Sequence, residues 1–488
     1  MTDERSIAVS PRRPDHPVLD DARLLPGRFL VVSNRLPYQL DLDGEQVVLK
    51  RGVSGLVTAL DPLLQNTGGT WIGWSGNYDP LPRRIEVDSQ REGRDYHLRP
   101  VRLSPDEVEH YYLGYANKAL WPLFHYFQEH SEFHQQQWQA YRDVNRRFAE
   151  VVCDEYRPGD LIWIQDYHLL LLPELIRRRI PAARIALFLH IPFPSSELFA
   201  IEPHAAELIE GMLQADLIGF QVGYYAYNFL DAVSDLTAHR YSRSEMKISV
   251  GERVAQVGVF PISIDFDWFA GLARRDDMRD RVERIRDGYR AEIVALGVDR
   301  LDYSKGILER LRAVELMLER HPEMQGKLTF VQLSAPSRTK VAAYRKMREE
   351  IERMVGHVNG RFGGRGCIPI DYRYAAFTQD ELVAYYRTAD MALVTPLRDG
   401  MNLVSKEYVA SQIDGSGALV LSRFAGAAQE LHDAVLVNPY DAETMADRIY
   451  ETITMPAEEQ RARMKRLRDV VRRNDIYWWL ERFLRALP

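Results

Sequence analysis

The sequence predicts an α/β protein of two doubly wound domains. Three observations carry this: its length, two stretches in which short apolar strands alternate with amphipathic helices, and a seam between them. At 488 residues the chain exceeds what one hydrophobic core ordinarily serves. In the first stretch Leu161–Gln165 is a strand announced by the Pro158-Gly159-Asp160 turn, Leu169–Arg179 has helical spacing, and Arg184–His190 is a second apolar strand. Strand, helix and strand within about 30 residues make a parallel βαβ unit. The second stretch repeats the alternation from Ile293, with strands expected at Ile293–Val298, Leu328–Leu333, Met391–Thr395, Ala418–Leu421 and Ala434–Val437.

Around these blocks the other elements follow in order. Residues 1–26 mix charge with proline and lack an apolar core, so they read as a flexible leader and not a signal peptide. Phe29–Asn34 is a β-branched, buried strand; Tyr38–Leu42 and Gln46–Leu49 flank an Asp43-Gly44 turn as a hairpin. Gly55–Leu64 is a helix and Thr70–Trp74 a strand, while residues 105–157 have helical apolar spacing broken around His130–Glu132. The seam falls near Phe260–Asp265. The expected domains are therefore 27–262 and 263–474. Residues 475–488 form a last helix whose Trp478 and Trp479 need cover, expected from the first domain.

Composition narrows the function classes. Hydrophobic residues at 46% and charged residues at 27% are those of a globular enzyme, and a net charge of −7 is the wrong sign for a dedicated nucleic-acid binder. Two cysteines, Cys153 and Cys367, provide neither a disulfide framework nor a metal cluster, which points to a reducing cytoplasm. No apolar run reaches the roughly 18 residues of a membrane span, so a soluble chain is expected. The basic residues of Arg461–Arg473 are spaced as a solvated helix face. There is no phosphate-loop, GxSxG, HExxH or CxxC motif. Asp41-Leu42-Asp43 and Asp265-Phe266-Asp267 match a metal-binding spacing but read as a turn and a seam.

In doubly wound folds ligands gather at the carboxyl ends of the strands. There the sequence places Asp166, His190, Arg300, Lys305, Arg338 and Asp399. The segment Arg398–Glu407 is the most specific. Gly400 allows an unusual turn, and a helix starting near Asn402 offers unpaired N–H groups to an anion such as a diphosphate. Glu407 is placed to accept hydrogen bonds from a ribose, and Arg300 and Lys305 supply cations, each charge-assisted bond contributing about 1.5–3 kcal/mol. A nucleotide diphosphate bound without metal is the reading of these residues. A capped helix beside a surface ion pair is the alternative.

The same segments resemble trehalose-6-phosphate synthases. They are Val298-Asp299-Arg300-Leu301-Asp302-Tyr303-Ser304-Lys305-Gly306, Thr395-Pro396-Leu397-Arg398-Asp399-Gly400-Met401-Asn402-Leu403 through Glu407, and Phe424-Ala425-Gly426. Ser33-Asn34-Arg35, Trp121-Pro122-Leu123-Phe124-His125, Asp166-Tyr167-His168 and His190-Ile191-Pro192-Phe193-Pro194 join them, in the family's order from Phe29 to the last helix. The resemblance implies the GT-B arrangement, two Rossmann-like domains with a cleft between them. It also implies transfer of glucose from a nucleotide sugar, usually UDP-glucose, to glucose 6-phosphate with retention and with no cofactor or metal. Carried over, Arg300 and Lys305 hold the donor diphosphate, and Asp399 with Gly400, Met401, Asn402 and Leu403 holds the donor sugar. Glu407 binds the ribose, Gly55 belongs to the donor loop, and His190 meets the transferred glucose. Arg35, Tyr112, Trp121 and Arg338 form the acceptor-phosphate pocket, and Asp166 binds acceptor hydroxyls. The catalytic set is then Arg300, Lys305, His190 and Asp166.

Two residues depart from the pattern. The usual Gly-Gly-Leu reads Ser54-Gly55-Leu56, and a position that is often histidine is Gln165. A sister transferase acting on glycerol 3-phosphate and a non-catalytic sugar-phosphate sensor are the competing readings. Neither nucleic acid nor membrane is an expected partner. Homo-oligomerisation and the choice among UDP-, GDP- and ADP-glucose stay open.

Overall fold

Two sheets dominated by parallel strands order the chain. The computed structural model describes residues 27–43, 46–51, 55–78, 81–87, 96–337, 342–364 and 366–487. The expected leader, Ser54 and Arg338 lie outside the described residues. The chain divides into two compact units, one of Met1–Pro261 with Tyr477–Pro488, the other of Ile262–Ile476.

In the first unit the strands are β1 (Phe29–Arg35), the hairpin β2 (Tyr38–Asp43) and β3 (Gln46–Arg51), β4 (Gly69–Trp74), β5 (Ile85–Val87), β6 (Tyr96–Val101), β7 (Leu161–Gln165), β8 (Arg184–Leu189), β9 (Leu217–Phe220), β10 (Arg240–Ser242), β11 (Lys247–Val250) and β12 (Arg253–Val259). Ten of them form one sheet in the order β10-β11-β12-β9-β8-β7-β1-β4-β6-β5. Its central strands are parallel and buried on both faces, which is why β7 reads as the unbroken apolar run Leu-Ile-Trp-Ile. The antiparallel strands β5, β10 and β11 sit at its edges.

The second unit holds β13 (Ile293–Arg300), β14 (Leu328–Ala335), β15 (Ile370–Tyr374), β16 (Met391–Val394), β17 (Ala418–Ser422) and β18 (Val435–Val437), all parallel. Their order, β15-β14-β13-β16-β17-β18, is the 3-2-1-4-5-6 winding of a Rossmann sheet, with its reversal between β13 and β16. The first unit reverses in the same sense between β1 and β7. These two points are where the fold predicts ligands.

Three local readings need correction. Residues 108–120 are not an α-helix but a π-helix of 13 residues, entered through the Ser104 capping box and left at Trp121. The helix expected from Leu169 begins at Leu172, after a 3₁₀ turn over Tyr167–Leu169. The basic helix Ala457–Arg473 is not simply solvated: Arg468 donates to the carbonyls of Val409 and Ala410, and Arg466 pairs with Asp433 at 2.8 Å. Arg468 and Arg472 both lie over the Phe266 ring, since a long side chain buries its stem while its charge finds carbonyls or water.

The final helix, Ile476–Arg485, belongs with the first unit from Tyr477 onward. Trp479 stacks on Trp163 at 5.4 Å, Phe483 on the same ring at 4.4 Å, and the Trp479 indole N–H donates to the Phe260 carbonyl at 3.1 Å. Both aromatic side chains are almost wholly buried. Asp265 is a helix cap, its carboxylate accepting from the Trp268 amide, which gives the second Asp-x-Asp match a structural role. No helix among the described residues is long and apolar enough to cross a membrane.

Candidate active site

Each unit gathers its own set of polar residues at its sheet reversal. In the first unit the set starts from Arg35 at the end of β1. Its guanidinium lies 4.7 Å over the Trp74 ring, and desolvation, the largest influence on it, lowers its pKa even though the residue as a whole is exposed. From there a chain of rings runs without a gap: Trp74 meets Tyr112 edge-on at 6.0 Å, and Tyr112 stacks on His168 at 5.8 Å. His168 contacts Tyr167 at 4.0 Å, and Tyr167 contacts Trp121 at 5.8 Å. Arg35, Tyr112 and Trp121 are thus brought into one wall.

The π-helix builds that wall. Its wide turn leaves Tyr111 pointing inward to donate to Asn34 Oδ1 at 2.9 Å, beside Arg35, while Tyr112 faces the ring chain. Asn117 ties the helix together, donating to the Tyr112 carbonyl at 2.6 Å and accepting from the Tyr167 hydroxyl at 3.0 Å. Such helices are rare and concentrate at functional sites. Beneath it Tyr115 donates to the buried Glu202 at 2.5 Å, and desolvation raises that carboxyl to about 7.

Asp166 and His190 follow β7 and β8. Asp166 has a left-handed φ of 72°, an uncommon conformation for a residue with a Cβ. Its carboxylate accepts the His190 backbone N–H at 3.2 Å, and its own N–H donates to the Phe188 carbonyl at 2.7 Å. His190 lies one residue beyond the strand. Although its edge reaches solvent, burial pushes the imidazole down to about 3. Its Nε2 lies 2.9 Å from Gln165 Oε1. Gly55 begins the helix Gly55–Thr67.

In the second unit Arg300 is the exposed last residue of β13 rather than part of the following loop. The loop after it is tightly held. The buried Asp302 carboxylate accepts from the Ser304 amide at 3.0 Å and from the Tyr344 hydroxyl at 3.0 Å. Gly306 is left-handed at φ 63°, and a Cβ there would lie 2.4 Å from the Thr395 carbonyl oxygen. The loop thereby docks on the residues after β16, with the Leu397 N–H donating to the Ser304 carbonyl at 2.8 Å.

This docking brings Lys305 to Asp399, Nζ to Oδ2 at 2.6 Å. The expectation assigned the lysine to a diphosphate and the aspartate to sugar hydroxyls; in the structure the two pair with each other. Asn402 completes the cluster. Its amide donates to Asp399 Oδ2 at 3.0 Å and its carbonyl accepts from the Ser405 amide at 3.1 Å, capping the helix Leu403–Ser411.

Asn402, at φ 76°, carries the left-handed turn that the sequence reading gave to Gly400, which has no positive φ. Asparagine tolerates that region because its short side chain bonds locally. One of the helix's first N–H groups is consequently already used. Gly400 matters through close approach: a Cβ on Gly426 would lie 2.0 Å from the Gly400 carbonyl oxygen, and the Ala427 N–H donates to Met401 at 2.8 Å. Glu407, half-buried on the same helix, accepts from the Tyr386 hydroxyl at 2.8 Å, and desolvation raises it to about 7.

The sequence reading missed Arg310. This side chain is wholly buried, donating to Asp299 at 2.6 Å, Gln332 at 2.8 Å, Thr395 Oγ1 at 2.9 Å and the Lys305 carbonyl at 3.2 Å. One guanidinium so fixes the ends of β13, β14 and β16 and the lysine loop together. The only signal in the sequence was an arginine four residues beyond Gly306, which any amphipathic helix shows. Among the described residues no group of three or more His, Cys, Asp or Glu is placed to hold a metal.

Residues 27–488 match the model of Glycosyltransferase family 20. The chain is 45% identical over 472 residues to the trehalose-6-phosphate synthase of Mycolicibacterium smegmatis, covering 94% of this chain and 92% of that protein. Among solved structures, a UDP-forming α,α-trehalose-phosphate synthase from Burkholderia xenovorans in complex with glucose-6-phosphate superposes with a TM-score of 0.86 at 34% identity, covering 94% of this chain and 100% of that one. An E. coli relative bound with UDP-2-fluoro glucose superposes at 0.85 with 35% identity, covering 94% and 99%. With a family model matching residues 27–488 and a relative of matching length, the chain belongs to glycosyltransferase family 20.

Proposed function

We propose that the chain is a UDP-forming trehalose-6-phosphate synthase. It moves glucose from UDP-glucose to the anomeric oxygen of glucose 6-phosphate, with retention, giving α,α-trehalose 6-phosphate and UDP. The observation that carries this reading is the Lys305–Asp399 pair at the sheet reversal of the second unit, its lysine in the loop that follows Arg300 at the end of β13, a cation and an anion that suit a ligand needing both. The donor diphosphate takes Lys305 and Arg300. Asp399, with the Gly400–Leu403 segment, takes the sugar hydroxyls, and Glu407 takes the ribose. Residues 27–262 supply the acceptor side through Arg35, Tyr112, Trp121, Asp166 and Arg338, residues 263–474 the donor side, and His190 faces the transferred glucose.

As the anomeric C–O bond breaks, negative charge grows on the leaving diphosphate, and Arg300 and Lys305 stabilise it there. The acceptor hydroxyl attacks from the same face, its proton passing to the departing phosphate oxygen, so configuration is kept and charge balances. The enzyme is read as cytoplasmic, where Cys153 and Cys367, both free thiols, stay reduced.

The test is UDP release from UDP-glucose with glucose 6-phosphate or glycerol 3-phosphate offered separately, with and without EDTA. Turnover with glucose 6-phosphate alone, insensitive to EDTA, is expected; turnover only with glycerol 3-phosphate moves the chain to the sister activity, and none with either points to a sensor. GDP- and ADP-glucose run beside UDP-glucose rank the nucleotides, and light scattering reads whether the enzyme is a homo-oligomer. Arg338→Ala is expected to raise KM for glucose 6-phosphate far more than KM for UDP-glucose.

A further inference from the structure

Gln165 is the last residue of β7 and is fully buried. Its side chain has two polar ends in fixed surroundings. The Nε2 end faces the Trp163 carbonyl at 3.5 Å, and the Oε1 end faces His190 Nε2 at 2.9 Å. Flipping the amide would set two carbonyl oxygens against each other, so the oxygen stays on the histidine. A carbonyl oxygen only accepts, and the imidazole nitrogen facing it must therefore carry a proton. No described residue bonds the other ring nitrogen, Nδ1. Phe188 packs against the ring at 4.7 Å with the planes tilted by 53°, and the neighbouring charged group, Asp166, is engaged by the His190 backbone N–H.

We propose that Gln165 is a positioning residue that holds the neutral His190 imidazole in the tautomer protonated on Nε2, so that Nδ1 presents a lone pair to a hydroxyl of the transferred glucose. This rests on the reading that His190 meets that glucose. A histidine at 165 can donate as well as accept, leaving two tautomers of the pair and a second titrating group. An amide allows one arrangement and does not titrate, so in this chain the neutral ring is confined to one tautomer. Burial of the ring acts in the same direction by disfavouring the imidazolium.

The first arm of the test is the ¹⁵N spectrum of histidine-labelled enzyme, with the His190 signals assigned by their loss in His190→Gln. A neutral Nε2–H tautomer from pH 5.5 to 8 is expected; the Nδ1–H form, a mixture or an imidazolium overturns the proposal. The second arm is kinetic. Gln165→Glu places a carboxylate on Nε2–H and stabilises the imidazolium. It is expected to add an acid limb, with kcat at pH 6 about tenfold below its value at pH 8 while KM for glucose 6-phosphate stays within about twofold. Gln165→Leu lowers kcat at every pH, and Gln165→His restores part of it. Wild-type pH profiles in Gln165→Glu, or equal losses in Gln165→Leu and Gln165→His, overturn the proposal. Should His190→Gln leave kcat unchanged, the contact between His190 and glucose is what fails, and the spectrum still judges Gln165.

Discussion

The two polar clusters are built by different physics. In the first unit Arg35, Trp74, Tyr112, His168, Tyr167 and Trp121 are held by stacked rings and hydrogen bonds of neutral groups. In the second unit buried ions do the holding: Arg310 with Asp299, Lys305 with Asp399, and Lys406 with Glu430 at 2.6 Å. A wall of rings suits a neutral sugar ring, which packs its apolar face on aromatic carbon. Fixed ions suit a step in which charge develops on a leaving group, because they need no reorganisation as it forms. The difference also sets how each side fails. Removing one partner of a buried ion pair strands the other, whereas trimming one hydroxyl from the wall loses a single bond.

The largest effect expected from that contrast is at Arg310. Arg310→Leu leaves Asp299 buried and unpaired, and chemical denaturation should show a loss of about 3–5 kcal/mol, much of it recovered when Asp299→Leu is added. If the single variant loses less than the double, the ion pair is not what holds β13, β14 and β16 together. Next comes Arg300→Ala, whose kcat/KM should fall at least about tenfold, equivalent to roughly 1.4 kcal/mol of transition-state stabilisation. Near-normal turnover would take the diphosphate away from Arg300. On the ring wall, Arg35→Ala should raise KM for glucose 6-phosphate about tenfold with KM for UDP-glucose within about twofold, a split that equal changes would erase.

A finer contrast lies in two carboxyls, each under a tyrosine hydroxyl and each raised to about 7: Glu202 beneath Tyr115 and Glu407 beneath Tyr386. Both native groups hold protons between pH 4.5 and 7 that an unfolded chain has released. The stability they confer is therefore full below 4.5 and is lost as pH rises through 7. Only Glu407 is read as a ligand group. Ribose hydroxyls donate to the ionised form, so KM for UDP-glucose should fall as pH rises from 6 to 8. Glu407→Gln should flatten that trend and Glu202→Gln should leave it. The smallest effect is Tyr111→Phe, which removes the bond to Asn34 and should reduce stability by about 0.5–1.5 kcal/mol.

What the sequence made legible follows the same division. Strands β1, β7, β8, β13 and β16 are apolar, β-branched runs, and the polar residues that end them are where a doubly wound sheet puts ligands. Asp166, His190, Lys305 and Asp399 were therefore legible as strand-end residues from the sequence, whereas Arg35 came only with the family resemblance. The π-helix was not, because Tyr111, Tyr115 and Ala119 repeat every four residues, a spacing that an α-helix shows as well. Arg310 was hidden because its burial depends on Asp299, Gln332 and Thr395, brought from three strands. Strands β10–β12 escaped because their exposed residues break the apolar pattern, and the placement of the left-handed turn at Asn402 rather than Gly400 is decided by contacts with Asp399 and Ser405.

The packing of the last helix on Trp163 has a consequence for how the chain is made. Trp479 and Phe483 cover a face formed by Trp163, Phe188 and Phe260, yet the segment that carries them begins at Tyr477, 216 residues after Pro261 closes the rest of that unit. At a ribosomal pace of about 5–20 residues per second the aromatic face waits on the order of ten to forty seconds for its cover. During that interval the nascent first unit carries an open hydrophobic seat. It is a natural client for a chaperone, and the place where a truncated message would leave a sticky product.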